Sequence, residues 1–137
     1  MISLKTRNVE KHLYTNYLKK AEEFMNACND SFSKEEWDAV VINAVHSGIS
    51  ASDALTIFFK GVRHAGERHE DVIQLLNTLE LHDIKDKNRH ILNLLSVKNK
   101  AEYEETLMTR KNAEDAKRSA ERFLSYVKDI LKTNQNL

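Results

Sequence analysis

Apolar positions along the chain recur at steps of three and four, and the first stripe spans about residues 8–29. Val9, Leu13, Tyr17, Ala21, Phe24, Met25 and Cys28 share one face there, while Lys11, Lys19, Lys20, Glu22 and Glu23 fall off it. This predicts an amphipathic helix with Cys28 as a small core residue at the end of its buried face. Ser33 followed by Glu36 has the spacing of a capping box, so a second helix is expected to begin there, with Gly61 and Gly66 bracketing its end. Gly48 interrupts the composition of that segment but not its phase. Trp37, Val41, Ala44, Gly48, Leu55, Phe59 and Val62 stay within one arc at about 100° per residue. One helix of about 27 residues is therefore predicted, with Gly48 on its buried face to admit a neighbouring helix closely. The rival is a break at Gly48, with Ser50 and Asp53 as a second cap pair.

Beyond Gly66 the pattern predicts a short helix carrying Val72, Leu75, Leu76 and Leu79, with Glu70 and Asp71 in its first turn. A polar connection over His82–Lys87 leads to another short helix with Ile91, Leu94 and Leu95. Residues 98–108 are dense in charge and weak in period, and read as a loop or frayed helix end. The last helix, residues 109–133, gathers Ala113, Ala116, Ala120, Phe123, Leu124, Val127, Ile130 and Leu131 on one face. The expected architecture is all-α: one domain over residues 1–137 with its core at about 8–131. It is an antiparallel bundle of about five helices, three long and two short.

Composition agrees. The chain of 137 residues has no proline and three glycines, which argues against the tight-turn economy of all-β domains. Lys+Arg and Asp+Glu are both 21, so any nucleic-acid contact must come from a local cluster. The one cysteine excludes an internal disulfide and suits a reducing compartment. The longest apolar run, Ala39-Val40-Val41-Ile42, is far short of a membrane span, and no signal-like segment opens the chain. A soluble, cytoplasmic protein without membrane association is expected.

No phosphate-binding glycine loop, metal-ligand spacing or nucleophile elbow occurs, so neither metal nor cofactor is predicted. Of the six histidines, His46 lies beside the apolar arc of the second helix, as a partly buried packing or interface residue. His82 and His90 adjoin polar connections and are expected in solvent. The run from Gly61 to Glu70 concentrates Arg63, His64, Glu67, Arg68 and His69, a polar connection able to hold a phosphate or move a proton. Lys111, Arg118 and Arg122 line the outer face of the last helix, but Asp115 and Asp129 share it, and Glu114 precedes Arg118 by four. That face reads as a self-paired, solvated surface.

The order of segments resembles the HEPN superfamily (higher eukaryotes and prokaryotes nucleotide-binding domain), small stand-alone members in particular. Residues 43–55, ending Ala51-Ser52-Asp53-Ala54-Leu55, are similar to its second helix. The polar connection 61–69, with a His near the next helix, follows in order. Val97-Lys98-Asn99-Lys100-Ala101-Glu102-Tyr103 and Ala116–Leu124 complete the series, over about residues 14–131. The resemblance implies an all-α, commonly dimeric bundle in toxin–antitoxin, antiviral or RNA-processing systems. Catalytic members are metal-independent RNases that use an Arg, a polar residue and, a few residues on, a His, paired across a dimer. On this chain Lys98 stands in the Arg place, Asn99 in the polar place and Tyr103 in the His place. A tyrosine of ordinary pKa is a weak base at neutral pH, and lysine lacks the bidentate guanidinium. Arg63 and His69 have an Arg-x5-His spacing, but ahead of the third helix. The implied function is a non-catalytic, homodimeric module that binds a partner protein such as a nucleotidyltransferase, a nucleotide or RNA. The binding residues would be Arg63, His69, Lys98, Asn99 and Tyr103. The alternatives are an RNase toxin with a degenerate site, His69 its candidate base, and a ligand-free scaffold or antitoxin-like bundle.

Overall fold

The computed structural model describes residues 4–136 apart from 67 and 69. A short strand β1 (Thr6–Asn8) and a 3-10 turn (Lys11–Leu13) precede α1 (Tyr14–Ser33) and α2 (Trp37–Lys60). Strand β2 (Val62–His64), α3 (Glu70–Asn77), α4 (Ile84–Tyr103) and α5 (Arg110–Thr133) follow.

Helix α2 is the axis of the bundle, packing against α1, α3, α4 and α5. It is unbroken for 24 residues, and Gly48 is buried within it, so the phase of the apolar positions outweighs the glycine. A Cβ at position 48 would lie 2.6 Å from Leu94 Cδ1 and 3.3 Å from Ile91 Cδ1, so α4 packs where a side chain would have been. On α2's other side Ser47, fully buried, donates a hydrogen bond of 2.8 Å to the Ala21 carbonyl of α1. By length and composition α2 could cross a bilayer, but 72% of its apolar window is buried inside the bundle, as in a core helix. The core continues through Leu55, Ile91, Leu94, Phe123 and Val127.

Four expectations need correction. The Ser33 capping box does not form. Ser33 ends α1 with its hydroxyl donating to the Asp30 carbonyl, Glu35 takes a left-handed conformation (φ 57°), and α2 starts at Trp37 with no side-chain hydrogen bond from the cap residue Glu36. A capping box does form at Thr109 and Asn112, ahead of α5. Of residues 98–108, read as a loop or frayed helix end, only 104–108 are non-helical: α4 begins already at Ile84 and runs for 20 residues to Tyr103, so four helices are long and one is short. Finally, the bundle carries a two-stranded antiparallel ribbon, β1 on β2, with Arg7 opposite Arg63. Gly61 makes the turn into it in the left-handed conformation (φ 66°), closing α2 while its carbonyl accepts from Val9 N–H at 2.9 Å. The fourth correction concerns His90, which is 3% exposed rather than solvated, whereas His82 lies in solvent as expected.

Candidate functional site

The C-terminal turns of α4 lie against the first half of α2. At their contact Lys98 Nζ bonds Glu102 Oε2 at 3.1 Å, and Glu102 Oε1 sits 3.3 Å from His46 Nε2. Lys98 and Glu102 are one helical turn apart, so they present their charges on one face, and both side chains are nearly buried (11% and 13% exposed). Burial pushes the Glu102 carboxyl up. The hydrogen bond and charge of Lys98, with lesser help from Tyr103 and His46, more than reverse this and hold it below the ordinary carboxylate range. The His46 ring is half-exposed and packs at a tilt on Phe24 of α1, with centroids 5.4 Å apart. Tyr103, 75% exposed, closes the cluster with its ring 5.6 Å from the Lys98 ammonium.

Chemically, this cluster has one carboxylate shared between an ammonium and an imidazole. Lys98 is a poor free anchor for phosphate, because any phosphate must compete with Glu102 for it. A carboxylate on an imidazole nitrogen, by contrast, is the arrangement that orients a histidine for proton transfer. Among the described residues no three of His, Cys, Asp and Glu come together as metal ligands.

The residues singled out in the sequence divide accordingly. Lys98 and Tyr103 meet, and Asn99 is exposed beside them. Arg63 does not join them. It is half-buried on β2, donates to the His64 carbonyl at 3.0 Å, and places its charge beside Asp53, two turns of α2 beyond His46. Burial raises the Asp53 carboxyl to a pKa of about 7, against the opposing pull of Arg63 and Lys20. His69 lies outside the described residues. Sequence reasoning missed Glu102 altogether and read His46 as packing; the legible signal was the i,i+4 spacing of Lys98 and Glu102. The outer face of α5 is self-paired only in part: Lys111 and Arg118 meet Asp115 at 2.8 and 3.6 Å, but Glu114 pairs with Arg110 rather than Arg118, and Arg122 has no ion-pair partner among the described residues.

The family model for the HEPN domain matches residues 14–130, nearly the whole chain. No curated protein matches it.

Proposed function

We propose that this chain, which belongs to the HEPN domain family, works as a non-catalytic helical module of a toxin–antitoxin or defence system. It forms a homodimer and binds a partner protein, of which a nucleotidyltransferase is one kind, or a nucleotide or RNA. The observation that carries the non-catalytic reading is the fate of Lys98. It stands where the resemblance would have a phosphate-holding arginine, yet it is nearly buried and engaged by Glu102. Tyr103 puts a phenol in the histidine place, where no imidazole nitrogen is available to take up and return a proton. A second reading has its own support, because His46 on Glu102 supplies an imidazole from α2 that Tyr103 does not. On that reading the chain is a metal-independent endoribonuclease with a relocated base.

Single-stranded RNA incubated with the purified full chain in EDTA separates the two. The expected result is no cleavage, with RNA or nucleotide binding weakened by Asn99→Ala and Tyr103→Ala, exposed positions whose loss spares the core. Cleavage that disappears in His46→Ala establishes the second reading and overturns the first. Absence of both cleavage and binding leaves a scaffold. Sedimentation showing a monomer at micromolar concentration removes the dimer.

A further inference from the structure

On the face of α4 turned away from Lys98 and Glu102, a recess of about 340 Å³ opens between α4 and α5. Its size is at the lower end of small-molecule sites, roughly 300–1,000 Å³. Arg89, Arg118 and Arg122 all line it, against a single carboxylate, Asp115. That carboxylate is already engaged by Lys111 at 2.8 Å and Arg118 at 3.6 Å. Arg122 has no ion-pair partner among the described residues, and Arg89 has only an exposed contact with Asp86 at 3.5 Å. The recess therefore holds more cationic charge than it neutralises, and in the form of guanidiniums, whose planar fork matches a phosphate.

A second observation points the same way. His90 lines the recess at 3% exposure, and its Nε2 is sealed from solvent with no hydrogen-bond partner. Burial first, then the charges of Arg89, Lys87 and Arg122, push its pKa below the usual histidine value, with Asp86 opposing weakly, so the ring is neutral and able to share a hydrogen bond with a hydroxyl. That unpartnered nitrogen belongs to a residue of the recess wall, and a ligand hydroxyl that reaches it would complete its hydrogen bonding. The remaining polar lining is amide and hydroxyl: Asn93, Ser96, Asn112 and Ser119. No Phe, Tyr or Trp lines the space, and the one ring in it, His90, is buried, so no open stacking platform awaits a nucleobase.

We infer that the α4–α5 recess is a binding site for a small phosphate ester rich in hydroxyls, of the sugar-phosphate class. The phosphate lies among Arg89, Arg118 and Arg122, and the hydroxyls meet His90 and the amide and hydroxyl side chains. This site is separate from the Lys98–Glu102–His46 cluster, and its test does not depend on whether the chain dimerises or cuts RNA.

Calorimetry on the full chain with ribose 5-phosphate, inorganic phosphate, ribose, AMP and a short RNA as probes decides it. Ribose 5-phosphate is expected to bind at least tenfold more tightly than phosphate or ribose alone, and to move the His90 imidazole resonance in NMR spectra. Arg118→Gln and Arg122→Gln, both at surface positions, should each weaken it at least tenfold, while Arg7→Gln, the same charge change on β1, should not. Four results overturn the assignment. They are no binding of ribose 5-phosphate at about 10 mM, binding indifferent to Arg122→Gln, inorganic phosphate binding as well as the ester, and AMP binding about tenfold more tightly, which would mean that a base is read. RNA binding lost in Arg122→Gln without any small-ligand binding replaces it with a nucleic-acid surface.

Discussion

Replacing Gly48 by alanine puts two opposed terms at one atom. The new Cβ would lie 2.6 Å from Leu94 Cδ1 and 3.3 Å from Ile91 Cδ1, where carbon atoms normally rest about 3.5–4.0 Å apart. Leu94 and Ile91 are each 1% exposed, so neither can swing into solvent, and the strain must go into rotamers or into the spacing of α2 and α4. Overpacking of this kind costs about 1–3 kcal/mol. The helix propensity of alanine returns about 1 kcal/mol. Gly48→Ala alone is therefore expected to destabilise by up to about 2 kcal/mol. In a Leu94→Ala background the 2.6 Å obstruction is gone and only the 3.3 Å approach of Ile91 remains, so the same substitution should be neutral or stabilise by up to about 1 kcal/mol. Leu94→Ala itself costs about 2–5 kcal/mol, within the roughly 5–15 kcal/mol typical of a domain. Urea melts of the four chains, followed by far-UV circular dichroism, give the coupling directly. A Gly48→Ala change that stabilises the parent, or that has the same value in both backgrounds, refutes the close-approach account.

Two further predictions concern titratable groups, one half-buried and one buried. Asp53 has a folded pKa of about 7 against 3.8 for a free aspartate, so the folded chain holds a proton that the unfolded chain releases, and stability falls as pH rises from about 4 to about 7. At pH 8 this amounts to at most about 4 kcal/mol. Asp53→Asn should melt above the parent at pH 8 and show a gap that closes toward pH 5; a gap that does not change with pH means that Asp53 is ionised and paired with Arg63. The Cys28 thiol is pushed up to about 12 by burial, with Lys117 lowering it and Glu121 raising it, so at pH 8 a thiol reagent should label it only as fast as the bundle opens. Labelling at the rate of a free thiol would contradict that placement.

Gly48 was legible because phase is a property of many positions, and one missing side chain does not disturb it. Residues 98–103 were illegible for the converse reason. The inward stripe of α4 runs through Asn88 and Lys98 as well as Ile84, Ile91 and Leu94, and each polar member has a side-chain partner, although the Asn88 Oδ1 is left without one. Asn88 donates to Asn77 at 2.7 Å and Lys98 bonds Glu102, so polar residues occupy the core face and blur its period. The ribbon escaped notice because Thr-Arg-Asn and Val-Arg-His are too short to show alternation. The Ser33 motif failed because local spacing alone does not decide whether a serine caps the next helix or closes the previous one. At the candidate site, Lys98 and Tyr103 could be found from their order in the chain. His46 comes from a different helix, and only packing brings it to Glu102.

The central position of α2 also sets an order of events in time. Its partner α1 is its neighbour in sequence, so the α1–α2 hairpin, tied by Ser47 to Ala21, can close with little loss of chain entropy. Helix α5 returns to the same axis only after α3 and α4 have been laid down, and the Met108 N–H that meets Asp38 at 2.6 Å closes a loop of 70 residues. A chain emerging from the ribosome would therefore expose the apolar faces of an α1–α2 hairpin until α5 arrives. The interval before α5 is made is when this protein is most open to capture by chaperones or to aggregation.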